Sequence, residues 1–163
     1  MAGVLIYETA ILPEWIDYNG HLRDAYYTLI VSLACDALMD RLGMDAAYRA
    51  STSCTLYTLE MHVHYLHEVK ATDTALVRVR IVGADHKRIH ADFEMMRAGA
   101  ADTAATAEVM LLHVRQQQGA VASAPFPPAV AAAIAQLMTA TAGMPAGGPG
   151  SRRMELRAAA RTP

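Results

Sequence analysis

Between Ala25 and Leu42 the chain is almost uninterrupted apolar sequence, with Leu29, Ile30, Val31, Leu33, Ala34, Ala37, Leu38 and Met39 spread over most of a helical wheel. A helix of that composition predicts burial on nearly all sides, because no single stripe collects its apolar residues. Gly43 is the expected C-cap, glycine being the residue that takes the left-handed position after a helix without steric cost. The rest of the chain must therefore supply something that wraps a helix.

Most of that remainder has period two. Val4 to Leu12 is β-rich and stops at Pro13, which has no N–H for a sheet ladder. After a short helical turn at Ala46 to Ala50, the segment Leu56 to Val69 alternates, with Tyr57, Leu59, Met61, Val63 and Tyr65 on one face and Thr58, Glu60, His62 and His64 on the other. Thr74 to Val82 and Arg88 to Arg97 read as a hairpin joined through Gly83-Ala84-Asp85-His86, and Thr103 to Val114 reads as a last strand. Pro127-Pro128 then opens an alanine-rich helix to about Ala140. The order predicts an α+β fold in which a curled antiparallel sheet of five strands wraps one long central helix. Residues 1–142 form the expected domain, and the glycine-, proline- and arginine-containing segment 143–163 is expected to be a flexible tail.

Composition excludes several classes of function. At 163 residues and 53% hydrophobic content the chain has the means for one well-buried core. A net charge of -2 and a pI near 6.4 argue against nucleic acid or an anionic membrane as partner. No segment reaches the roughly 18 apolar residues of a membrane span, and Met1 to Ile11 lacks the pattern of a secretory signal, so a cytoplasmic protein is expected. Cys35 and Cys54 make neither a zinc spacing nor a disulfide framework and are expected to be reduced, buried thiols.

Chemistry concentrates in the residues Trp15 to Tyr27, Trp-Ile-Asp-Tyr-Asn-Gly-His-Leu-Arg-Asp-Ala-Tyr-Tyr. They set Asp17, Gly20 and His21 before a helix start, where backbone N–H groups have no partner within the helix. A carboxylate there can attack a carbonyl or take a proton from water, while the free amides stabilise the oxyanion that develops. With Gly20-His21, Arg23, Asp24 and Tyr27 at the helix start, the segment resembles the motif of hotdog-fold thioesterases of the 4-hydroxybenzoyl-CoA thioesterase type. The order of elements extends the likeness over about Val4 to Arg115, and Tyr65-Leu66-His67-Glu68 resembles the family's Tyr-Leu-Arg-Glu strand end.

The resemblance implies a hydrolase of acyl-CoA thioesters that needs no cofactor. Asp17 matches the catalytic carboxylate, as nucleophile or as general base; Gly20 matches a point of close backbone approach, and His21 a residue that supports the loop. The stretch from Arg23 to Tyr26 would supply the N–H that polarises the thioester carbonyl. Arg23 and Asp24 stand where the family commonly has Asn-Asn, which leaves the acyl group open. The fold also implies a homodimer or homotetramer, because an unpaired sheet edge is satisfied by a second copy, with the active site at the subunit boundary.

Three further groups of residues carry expectations. Glu60, His62 and His64 share a strand face but lack further ligands at fixed spacing, so a polar surface is expected there and no metal. Lys70, Arg78, Arg80, Lys87 and Arg88 fall where relatives hold CoA phosphates, although a solvated outer strand face gives the same alternation. Trp15, Tyr18, Tyr26 and Tyr27 are dense for a chain with 6% aromatics and are candidates for substrate binding; core packing claims Tyr27 first, and the others beside Asp24 suit a quaternary ammonium bound by cation–π attraction. The same run resembles the betainyl-CoA thioesterases of carnitine breakdown, whose acyl group carries that cation. A thioesterase for another short or aromatic acyl-CoA, or a non-catalytic acyl-CoA binder, is the alternative.

Overall fold

The computed structural model describes residues 3–117 and 119–144. Strand β1 (Val4–Ala10) leads through a single 3-10 turn (Pro13–Trp15) to the long helix α1 (Asp24–Arg41) and the short helix α2 (Ala46–Thr52). Strands β2 (Cys54–Tyr65), β3 (Thr74–Ala84), β4 (Arg88–Arg97), β5 (Thr103–Gln117) and β6 (Ala120–Ser123) come next, and helix α3 (Pro128–Ala140) ends the described chain. The expected tail lies outside the described residues from 145 onward.

The strands form one antiparallel sheet in the order β1-β3-β4-β5-β2, open rather than closed into a barrel. Strand β6 pairs with β5 from Val114 to Gln117, beyond Leu112 where the β4 ladder ends. This sixth strand was not expected: it is four residues long and exposed throughout, so it carries no alternation to read. One face of the sheet is apolar. Val77, Val79 and Ile81 of β3 sit beside Met95, Phe93 and Ala91 of β4, which sit beside Ala105, Ala107 and Val109 of β5, and all nine are buried.

Helix α1 differs from the expectation. Its buried residues are Tyr27, Ile30, Val31, Ala34, Cys35, Leu38 and Met39, a single stripe at spacings of three and four. Leu29 is 39% exposed, and Leu33 and Ala37 are half-buried. An open sheet covers only one side of a helix, and Thr28, Ser32, Asp36 and Asp40 line the uncovered side. Apolar residues all round the wheel thus outnumber what one chain's sheet can cover.

Strand β2 also departs from strict alternation. A bulge between Thr58 and Glu60 shifts the register against β5, so that Leu56 before it and Met61 and Val63 after it all pack on the core. Leu59, expected on the buried face with Met61, is 55% exposed. Both cysteines are buried and free, as expected, and burial pushes the Cys35 thiol up to about 12.

The stripe on α1 has a measurable consequence. Leu38 is fully buried, so Leu38→Ala should cost about 3 kcal/mol in urea unfolding, whereas Leu29→Ala should stay within about 0.5 kcal/mol. Equal losses at the two positions would mean that the helix is covered on both sides.

Candidate active site

The segment before α1 is a tight turn tied down at both ends. Gly20 N–H donates to Asp17 O at 3.1 Å, Asp17 N–H donates to His21 O at 2.8 Å, and a bridge pairs Ile16 with Leu22. Gly20 adopts φ +82°, a left-handed conformation, and an added Cβ would meet nothing within 4 Å. Its requirement is therefore one of backbone conformation alone. Leu22 N–H donates to Val69 O at 2.7 Å and Arg23 N–H to Trp15 O at 3.0 Å, which fasten the turn to the β2–β3 connection and to the 3-10 turn.

Within this turn Asp17 Oδ1 accepts the backbone N–H of Asn19 at 2.8 Å and of His21 at 3.2 Å. The His21 N–H foremost, against an opposing desolvation and with the Asn19 N–H adding to it, holds the Asp17 carboxyl below the usual aspartate range. Both bonds fall on one oxygen, which leaves Oδ2 without a backbone donor. The His21 ring meets Glu68 Oε2 at 3.0 Å, and His21 bridges to Lys70. His21 thus supports the loop from its backbone on one side and its ring on the other.

Asp17 does not bond the first turn of α1, as its place in the sequence suggested; its partners are the N–H groups of its own turn. The helix start is arranged separately. Arg23 is the N-cap residue and provides no side-chain cap; Ala25 N–H is taken by Asp24 Oδ1 at 2.8 Å and Tyr26 N–H by Arg23 O at 2.9 Å. Asp24 N–H has no acceptor among the described residues. The stretch Arg23 to Tyr26, expected to offer a free amide, narrows to that one N–H.

Asp17 and Asp24 line the same cleft, of about 670 Å³. Of the residues singled out in the sequence, His21, Tyr27 and Lys70 also line it; Tyr65, His67, Glu68 and Arg97 line it as well and were not among the candidates. The signal for three of them lay in the strand-end motif Tyr65-Leu66-His67-Glu68. Tyr27 is buried, donates its hydroxyl to His67 O at 3.3 Å and meets the Tyr65 ring edge to face at 5.2 Å.

The other aromatics are elsewhere. Trp15 is buried in the core, stacked on Tyr26 with centroids 5.4 Å apart, and Tyr18 is 94% exposed. None of the three lines the cleft, and Arg23 is an exposed flanking residue. The basic residues are dispersed rather than gathered. Arg78 donates to Gly3 O at 3.3 Å and Arg80 pairs with Asp92. Lys87 donates to Ser123 Oγ at 3.3 Å and Arg88 pairs with Asp85 at 2.7 Å. These last two sit at the far end of the β3–β4 hairpin from Lys70, about 33 Å away along the strand.

Glu60 and His62 pair with each other at 2.6 Å. A different triple, His90, Asp92 and Glu108, brings its ligand atoms within 4.8 Å of one another. Its members are already engaged, His90 with Glu108 at 2.6 Å and Asp92 with Arg80, in an ion network on the polar face of the sheet. Among the described residues no helix is long and apolar enough to cross a membrane.

Comparison with known proteins identifies the family. The profile of the thioesterase-like superfamily matches residues 11–134. The chain is 44% identical over 139 residues to the betainyl-CoA thioesterase of Pseudomonas aeruginosa, covering 85% of this chain and 86% of that one. It is 36% identical over 132 residues to an L-carnitine dehydrogenase/betainyl-CoA thioesterase of Agrobacterium fabrum, covering 81% of this chain but 26% of that longer one. Among solved structures, a protein of Pseudomonas putida provisionally named a thioesterase superposes with TM-score 0.85 at 43% identity, over 97% of this chain and 99% of that one. A Staphylococcus aureus protein solved in complex with CoA superposes with TM-score 0.84 at 26% identity, over 96% and 98% of the two chains.

The turn around Asp17 can be tested directly by carboxyl ¹³C NMR. A carboxylate held by two N–H donors titrates with a midpoint below 3.8, so any stabilisation it lends is complete above the unfolded value and is lost as pH falls through the lower folded value. A midpoint at or above 3.8 would contradict the two-donor arrangement.

Proposed function

The chain belongs to the thioesterase-like superfamily and has the hotdog fold, and from that membership we propose that it hydrolyses betainyl-CoA to glycine betaine and CoA. It is an acyl-CoA thioester hydrolase; the acyl group is the proposed part. One observation carries the chemistry: Asp17, an ionised carboxylate, and Asp24, whose N–H has no acceptor among the described residues, line one cleft. The 44% identity to a named betainyl-CoA thioesterase over most of both chains supports the choice of substrate.

The Asp24 N–H donates to the thioester oxygen and stabilises the charge that grows there as the carbonyl carbon becomes tetrahedral. The dipole of α1 adds to that donor, since the amide is the first of the helix. Asp17 Oδ2 either attacks the carbonyl carbon, giving a mixed anhydride that water then opens, or takes a proton from the attacking water. The C–S bond breaks in either route, and CoA leaves as its thiolate. A depressed Asp17 is ionised throughout the neutral range, which both routes need. Gly20 and His21 hold the carboxylate in place. Lys70, the one candidate cation that lines the cleft, is assigned to the CoA moiety, because Arg78, Arg80, Lys87 and Arg88 have their own contacts away from it.

The catalytic unit proposed is 1–142, working in the cytoplasm as a homodimer or homotetramer. Strand β2 ends the sheet order, so among the described residues one edge of its twelve residues has no strand partner, and Tyr57, Leu59 and Tyr65 on it are exposed. A long exposed apolar edge is stable in solution when a second copy pairs with it. Tyr65, at the end of that edge, also lines the cleft, so the site would lie at the subunit boundary.

Two measurements check this reading. Asp17→Asn leaves the turn acceptor in place and removes the charge, so thiol release from betainyl-CoA should fall on the order of a hundredfold in kcat with little change in KM. Unchanged turnover would remove Asp17 from the mechanism. Light scattering across a dilution series should give at least twice the 17.6 kDa chain mass; a stable, active monomer would refute the shared-edge assembly.

A further inference from the structure

We propose that Tyr65, in a cleft that Asp24 and Glu68 also line, forms a quaternary-ammonium subsite that selects the acyl group. The proposal rests on the thioesterase reading above and adds the residues that read the substrate's charge. It also replaces Trp15, Tyr18 and Tyr26 in that role. Trp15 and Tyr26 occupy each other's ring faces, and Tyr18 stands in solvent outside the cleft.

Covalent geometry fixes where such a subsite must be. In an acyl group whose ammonium is one methylene from the thioester carbonyl, nitrogen and carbonyl carbon are about 2.5 Å apart by ordinary bond lengths and angles. A carbonyl oxygen held on Asp24 N–H therefore brings the cation to within a few ångströms of Asp24 itself. Tyr65 is the aromatic residue at that point, its hydroxyl 3.5 Å from Asp24 O. The residue is 53% exposed and lines the cleft, so it has surface to offer a ligand. Tyr27, 5% exposed and set against it at 85° between ring planes, holds the ring rather than presenting a face of its own.

Charge points the same way. Asp17, Asp24 and Glu68 bring three carboxylates to the lining, of which Glu68 meets the His21 ring at 3.0 Å. Arg97 is offset by Asp102, whose two carboxylate oxygens both lie 2.8 Å from its Nη2, and Lys70 is the remaining lysine or arginine. A trimethylammonium group has no proton to donate, so it is recognised by a ring face and by negative charge, and the lining of this cleft supplies both. A neutral acyl group of the same shape gains neither.

The test compares betainyl-CoA with its uncharged isostere 3,3-dimethylbutyryl-CoA in wild type, Tyr65→Leu and Tyr65→Phe. Wild type should prefer the cationic ester by about tenfold or more in kcat/KM. Tyr65→Leu should lose that preference, its kcat/KM falling about tenfold more on the cationic ester than on the neutral one, and Tyr65→Phe, which keeps the ring, should retain it. Equal loss on both esters in Tyr65→Leu, or loss of preference in Tyr65→Phe, would overturn the subsite. Binding is read separately with tetramethylammonium by saturation-transfer NMR: signal transfer in wild type and Tyr65→Phe, and none in Tyr65→Leu, supports the subsite even if neither ester is hydrolysed. Such an outcome would count against the thioesterase reading alone. No transfer in wild type would overturn the subsite whatever the turnover.

Discussion

Two backbone N–H groups, from Asn19 and His21, close on one oxygen of Asp17, and the arrangement of the cleft depends on them. They do three things at once. They shape the turn that Gly20 completes in a left-handed conformation, they keep the carboxyl ionised, and they leave its other oxygen without a backbone donor. The turn itself is held by Val69 and by the 3-10 segment, so its position is inherited from the sheet through the β2–β3 connection and from β1 through Pro13–Trp15. A reactive group on a loop is useful only when the loop is this firmly anchored.

The second constraint is that an open sheet covers only one side of a helix. The stripe from Tyr27 to Met39 is covered, and the stripe fixes both the rotation of α1 and the direction in which its first N–H points relative to the sheet. Leu29 on the other side of the helix and Tyr57, Leu59 and Tyr65 on β2 are left exposed. An assembly of two chains would answer both the surplus of apolar surface and the open edge, and it would enclose a cleft that in one chain is bounded by Tyr65 and Leu66 at its rim.

Most of the fold could be read from the residues because period and punctuation agreed: Pro13 ended β1, Gly43 came just after α1, and β4 spanned Arg88–Arg97 as the alternation indicated. The failures have physical causes. A bulge at Leu59 reversed the parity of β2, which periodicity cannot foresee, and β6 is a strand only because β5 outruns β4. In the site, Asp17, His21, Asp24, Tyr27 and Lys70 were legible because they are close to the motif in sequence or to its bridge partner. Trp15 and Tyr26 misled, since a dense aromatic cluster gives no indication whether its rings face a ligand or each other. Tyr65, 48 residues beyond Asp17, was signalled by its strand-end motif, whereas Arg97 reaches the cleft from a strand end 80 residues beyond Asp17, a distance that only the strand order resolves.

The most direct measurement is a crystal structure of the protein with a carba analogue of betainyl-CoA, in which a methylene replaces the thioester sulfur. We expect the carbonyl oxygen at about 3 Å from Asp24 N, Asp17 Oδ2 within about 3.5 Å of the carbonyl carbon, and the trimethylammonium group against the Tyr65 ring. An acyl group bound away from both Asp17 and the start of α1 would contradict the assignment of this cleft as the place where the thioester is cleaved.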